Sequence, residues 1–443
     1  MKKRNTVFAL GIGVVTFLAV NSQPWGKIPA TLGIVSAVLL PIAALVSFLL
    51  AKRRFGSVRW AFCSLGYSAL LAFLASAVLS VVFATVNAVR FLWDDPIAWL
   101  IGCAVCIVLE AVLFWFGIIC IYCTSLQLGI GLRVLGIAVG MIPLVNLAVL
   151  IVMLRKVGNE LAFEGEKCAL DRKRRLEKVC ATRYPVLLVH GVFFRDSRYF
   201  NYWGRIPAEL ERNGATVYYG NHQSARSVAD SGRELAERIR EIVRESGCEK
   251  LHIIAHSKGG LDCRWALANE GIAPMVASLT TVKTPHRGCE FADYLLQKAP
   301  EALRQKVAAA YRAALIRMGD TDPDFLAAVG DLTASRCKEL NADMPMPEGV
   351  VCCSVGSVLK QAGHGQFPLN FSYLLVKHFD GANDGLVGET SFAWGTRYTV
   401  IKTRDGRGVS HADVIDLTRR NVEGFDVREF YVGLLSEFKK DGM

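Results

Sequence analysis

Five stretches in the first third of the chain are almost wholly apolar, over roughly 6–21, 29–51, 60–89, 97–124 and 129–154. Most reach the ~20 residues that a helix needs to cross the hydrocarbon core of a bilayer. From Tyr184 onward the pattern changes. Apolar runs of strand length cover 185–189, 216–219, 251–254, 276–282 and 397–402, and amphipathic segments of helical length cover 201–213 and 232–246. Strands alternating with helices predict an α/β domain built on a mostly parallel sheet. In such a sheet, chemistry belongs at the carboxyl ends of the strands.

The predicted organisation is therefore an all-α transmembrane bundle over 1–155 with four to five spans, then a charged helical or solvated linker over 156–183. An α/β domain over 184–443 completes it. Residues 290–348 read as a helical lid inserted between strands. Leu303, Val307, Tyr311, Leu315 and Met318 form an apolar stripe at helical spacing, flanked by Arg304, Lys306, Arg312 and Arg317. That stripe suits either packing onto the domain or a cationic face that rests on lipid and gates an acyl pocket.

Charge sharpens this division. The net charge is +11, yet residues 1–155 hold eleven Lys or Arg against only Asp94, Asp95 and Glu110. Most of the surplus thus flanks the apolar segments, and no base-stacking or base-reading motif accompanies it, so a nucleic-acid partner is not expected. The expectation is a multi-pass protein of the plasma membrane. Trp25, Trp93 and Trp99 stand at the proposed boundaries, as interfacial aromatics do. Basic clusters at Lys2-Lys3-Arg4, Lys52-Arg53-Arg54 and Arg155-Lys156 would all lie in the cytoplasm only with an even number of crossings, so five crossings leave the side of the hydrophilic domain open. Glu110, a lone acid in an apolar span, reads as structural or snorkelling. The thirteen cysteines show no metal-ligand spacing and read as inert thiols.

The strand at 251–254 runs into Ala255-His256-Ser257-Lys258-Gly259-Gly260, followed by a helix-like segment. Strand, tight small-residue turn, helix is the setting of a nucleophile elbow, which exposes a serine hydroxyl above a sheet. A serine needs an imidazole base and an orienting carboxylate, and in this architecture the chain order is serine, acid, histidine. Asp384, in the turn Asn383-Asp384-Gly385-Leu386-Val387, is the candidate acid. His411, in a loop beyond the last strand-like run, is the candidate base. His190 and His286 read as architectural, and His256 is expected to point away from the face that Ser257 occupies.

Tyr184-Pro-Val-Leu-Leu-Val-His-Gly191, the Ser257 turn, Thr284-Pro-His-Arg-Gly-Cys-Glu-Phe-Ala-Asp293 and Asn383-Asp384-Gly-Leu-Val387 resemble the bacterial triacylglycerol lipase family of α/β-hydrolases. The resemblance spans about 184–425 and leaves the apolar segments outside it. It implies an acyl-ester hydrolase with the triad Ser257, Asp384 and His411. It also implies an oxyanion hole built from the main-chain N–H groups of Val192 and Lys258. The Lys258 side chain is expected to sit in water, or else to steer anionic substrates. The family often carries structural calcium near the histidine. Asp413 matches one ligand position, but the 364–373 stretch lacks the partner aspartate, so no cofactor is expected.

The expected substrate is a lipid or other acyl ester at the bilayer. Acyl transfer or thioester cleavage on the same triad stays open, as does a non-catalytic membrane receptor that keeps the fold. Oligomeric state is not legible.

Overall fold

The computed structural model describes residues 2–22, 29–142, 144–192, 201–223, 225–317 and 319–443. Trp25, Met318 and the side chain of Trp93 lie outside that description. The chain forms two compact units, Met1–Lys173 and Arg174–Met443.

The first unit is helical: α1 Lys2–Asn21, α2 Ala30–Phe55, α3 Val58–Asp94, α4 Pro96–Thr124, α5 Gly129–Ala138 and α6 Val145–Arg174. Among the described residues, three helices, α2, α3 and α4, are long and apolar enough to cross a membrane. The apolar stretch at 129–154 does not form one continuous helix. It is divided between the ten-residue α5 and the start of α6, and α6 continues through the charged sequence as far as Arg174.

Helices α3 and α4 approach closely because small residues face each other. A Cβ added to Gly66 would lie 2.4 Å from Cys120 Cβ, and one added to Gly117 would lie 3.1 Å from the Gly66 carbonyl. Glu110 of α4 is buried and accepts hydrogen bonds from Ser76 (2.5 Å) and Ser80 (3.4 Å) of α3. It is an interhelical polar tie, not a snorkelling side chain.

The second unit is built on six strands: β1 Val186–Val189, β2 Val217–Tyr219, β3 Leu251–His256, β4 Val276–Val282, β5 Val351–Gly356 and β6 Arg397–Val400. Their order is β2-β1-β3-β4-β5-β6 and every pairing is parallel. Helices α7 Ile206–Arg212, α8 Val228–Ser246, α9 Lys258–Asn269, α10 Glu290–Lys298, α11 Glu301–Arg317, α12 Phe325–Gly330, α13 Ala334–Ala342, α14 Leu369–Asp380 and α15 Val427–Lys440 complete the unit.

Strand alternation supplies two cores, as a sheet covered on both faces requires. Val186, Leu188, Ile254 and Val282 pack with Trp203, Tyr431, Leu435 and Phe438 on one side. Leu187, Val189, Ile253 and Leu279 pack with Leu235, Ile239 and Ile242 of α8 on the other. Helix α8 is fixed at both ends. Ser227 Oγ accepts the Asp230 N–H, and Gly247 closes the carboxyl end in the left-handed conformation (φ 67°).

Helices α10 to α13 all fall between β4 and β5. On α11, Leu303, Val307 and Tyr311 are exposed, whereas Leu315 is buried with Ala225 and Ala328 and packs against Val192. The described part of the stripe therefore divides: Leu315 packs onto the domain, and Leu303, Val307 and Tyr311 face outward.

Candidate active site

Ser257 stands between the last residue of β3 and the first of α9. Its backbone is at φ 56° and ψ −132°, a region an L-residue occupies at a cost of about 1–3 kcal/mol. The surroundings leave no room for larger neighbours. A Cβ on Gly191 would lie 2.8 Å from Ser257 Cβ, and one on Gly259 would lie 2.4 Å from the His190 carbonyl oxygen. The two glycines let β1, the turn and α9 converge.

His411 lies in the loop beyond β6, and its Nδ1–H donates to Asp384 Oδ2 at 2.8 Å. The other carboxylate oxygen, Oδ1, accepts the N–H groups of Leu386 (3.0 Å) and Val387 (2.8 Å). Burial alone would raise the Asp384 pKa. His411, Lys283 and the Val387 N–H outweigh burial and hold it at about 2. Asp384 is therefore an anion aimed at the imidazole. No hydrogen bond joins Ser257 Oγ to His411 among the described residues, and such bonds often tighten only with substrate.

His256 is not idle: its ring packs against that of His411, with centroids 4.6 Å apart. It is buried, receives the Tyr202 hydroxyl on Nδ1 (2.7 Å) and donates from Nε2 to the His411 carbonyl (3.0 Å). Burial and then the neighbouring His411 push its pKa well below the ordinary histidine value, so it serves as a neutral hydrogen-bonding ring. His190 is buried and stacked on His222 at 4.0 Å, and burial lowers its pKa to about 3. His286 is buried between Thr281 and Trp394.

The solvated reading of Lys258 is overturned. The residue is 1 % exposed. The chain folds back along α9, where Nζ pairs with Asp262 Oδ1 one turn on (2.6 Å) and donates to Ser231 Oγ (3.1 Å). A carboxylate four residues later on the same helix supplies the partner that water would otherwise be. Burial raises Asp262 to about 6 even with Lys258 pulling the other way. The main-chain N–H groups of Val192 and Lys258 make no hydrogen bond to any described residue. They flank the close approach of Gly191 to Ser257.

Asp413 is held by its own turn: Oδ2 accepts Ser410 Oγ (2.7 Å) and Oδ1 accepts Gln366 Nε2 (2.7 Å). With both oxygens engaged by neutral donors and Lys283 acting on it as a cation, the set does not fit a hard divalent ion.

Lys283, directly after β4, is a site residue that motif reading misses. It is fully buried, and its Nζ lies 3.5 Å from Asp384 Oδ2. A lysine at the carboxyl end of an otherwise uncharged buried strand was the available signal.

A strained serine turn after a central parallel strand, and an aspartate–histidine pair on later loops, belong to an α/β-hydrolase fold. No family model matches the chain. Curated relatives do. It is 30 % identical over 260 residues to "Triacylglycerol lipase" of Vibrio cholerae, covering 53 % of this chain and 80 % of that protein. It is 35 % identical over 201 residues to "Triacylglycerol lipase" of Pseudarthrobacter phenanthrenivorans, covering 42 % of this chain and 62 % of that protein. Among solved structures, the Staphylococcus hyicus lipase aligns over 59 % of this chain and 97 % of its own, with 17 % identity and a TM-score of 0.46. The chain belongs to the triacylglycerol lipase family.

Proposed function

We propose that this chain is a serine ester hydrolase, held in a membrane by its N-terminal helices, that cleaves the acyl esters of lipids. The observation that carries the reading is the ionised Asp384 bonded to His411 at 2.8 Å, on loops that converge on the strained Ser257 turn.

In this mechanism Ser257 Oγ attacks the ester carbonyl carbon while His411 Nε2 takes its proton. The carbonyl π pair moves onto oxygen, and the N–H groups of Val192 and Lys258 receive that oxyanion. The intermediate collapses, the C–O bond to the alcohol breaks, and His411 returns the proton to the leaving oxygen. Water then repeats the sequence on acyl-Ser257 and releases the acid. Asp384 keeps Nδ1–H directed at itself and steadies the imidazolium.

The lipid assignment is supported by apolar side chains beside the site. Phe367, Phe371 and Leu374 are 80 %, 71 % and 66 % exposed on and just before α14. That helix is tied to the acid-bearing turn through Ser372 Oγ, which donates to the Gly385 carbonyl (2.5 Å). Exposed aromatics of this density suit a lipid surface better than water. The outward stripe of α11 fits a lid over the same site. Ser257→Ala tests the reading. It should abolish turnover of a p-nitrophenyl ester by the detergent-solubilised full chain, and retained turnover would refute it.

A further inference from the structure

We propose that Lys283 is a positioning residue of the catalytic centre, sharing Asp384 with His411 and tuning how tightly the base holds its proton. The proposal rests on the triad reading above. Asp384 Oδ2 accepts His411 Nδ1–H at 2.8 Å and lies 3.5 Å from Lys283 Nζ. The same ammonium donates to the carbonyl of Val409, two residues before His411. One side chain thus holds both the acid and the loop that carries the base.

Its backbone is committed to this placement. Lys283 has φ 52°, and its N–H donates to the Val355 carbonyl at 2.8 Å, which turns the chain sharply out of β4. A lysine tolerated at a left-handed position, fully buried, with its charge aimed at a carboxylate, calls for a role beyond filling space.

The charges facing one another are Lys283 after β4, Asp384 and Asp413 on loops, and His411; His256 of β3 packs beside His411 and stays neutral. With His411 neutral, two carboxylates face one cation. Protonating His411 brings the cluster to neutrality. Asp413 is thus the second acid that offsets Lys283, so the imidazolium formed during the reaction completes a balanced set. Removing either member shifts the balance in a known direction.

The test is the pH profile of kcat/KM for a water-soluble p-nitrophenyl ester, measured on the full chain in detergent. Lys283→Met removes a cation, so His411 keeps its proton to higher pH. The acid limb should move up by about one unit, and kcat should fall at least ~10-fold with KM little changed. Lys283→Arg keeps the charge and should leave the limb in place. Asp413→Asn removes an anion and should move the limb down. It also keeps the test decisive if Lys283→Met does not fold. Limbs that stay put in the folded variants would overturn the proposal, leaving Lys283 a structural lysine. A wild-type chain with no Ser257-dependent activity would instead overturn the triad reading.

Discussion

The Nε2–H of His256 donates to the main-chain carbonyl of His411 at 3.0 Å, so the residue before the proposed nucleophile holds the backbone of the proposed base. Ser257 and His411 are thereby registered through a single buried ring rather than through loop packing alone. His256→Phe keeps the ring and loses both the Tyr202 and His411 bonds. It should lower kcat on a soluble ester about 10-fold or more while KM stays close to wild type, since misplacement of a reacting group acts on the transition state. An unchanged kcat in a folded variant would show that His411 is placed by other means.

The buried pair Lys258–Asp262 makes a stability prediction of its own. Lys258→Met leaves a carboxyl group without its cation in a fully buried place, a change that typically costs about 3–5 kcal/mol. Replacing both, as Lys258→Met with Asp262→Leu, should recover most of that loss, because the uncompensated group is gone. Thermal melts of the single and double variants decide it. A double variant no more stable than the single would mean that the pair is held by more than its own charges.

Acid should weaken the second unit over a defined window. Burial lowers His190 to about 3 and His252 to about 4, and drives His256 and His286 well below the ordinary value. A lowered histidine means that the unfolded chain binds the proton first. Stability therefore drops as pH falls from about 6.5 toward the folded values. Asp384, held at about 2, adds a further loss below about pH 4. Asp262, raised to about 6, acts in the opposite direction as pH falls from 6 to 4. Four histidines against one carboxyl group give a net fall. Denaturant midpoints measured from pH 8 to pH 4 should drop steadily, and a flat series would contradict the neutral burial of these rings.

The exposed face of α14 bears the lipid part of the proposal. Phe371→Asp combined with Leu374→Asp should reduce turnover of emulsified triacylglycerol about 10-fold or more, through lost apolar area at the lipid surface. Turnover of a soluble short-chain ester should stay near wild type. An equal fall on both substrates would place these residues in the catalytic framework instead.

Much of the fold is legible in the residues. The strand at Val276–Val282 has the limits its apolar run predicts, and the parallel order follows from strands alternating with amphipathic helices. Strand β5, Val351–Gly356, is not legible, because adjacent cysteines, a serine and a glycine give its six residues no clear periodicity. The apolar stretch at 129–154 reads as one span but is divided between α5 and α6, since hydropathy reports burial or lipid and says nothing of a break in the helix.

At the site, chain order points to Ser257, Asp384 and His411, whose roles rest on spacing and turn chemistry. The roles of Lys258, Lys283 and His256 are not legible, because each depends on a partner brought up from elsewhere in the fold or one turn along a helix. Lys258, beside Ser257, looks solvated in the sequence until Asp262 is seen beside it.

The most direct test of the central claim is to treat the detergent-solubilised full chain with a fluorophosphonate probe and locate the adduct by peptide mass spectrometry. The account predicts a single phosphonylated residue, Ser257, with labelling and ester turnover both lost in Ser257→Ala and strongly slowed in His411→Ala. An adduct on another residue, or undiminished turnover in Ser257→Ala, would contradict it.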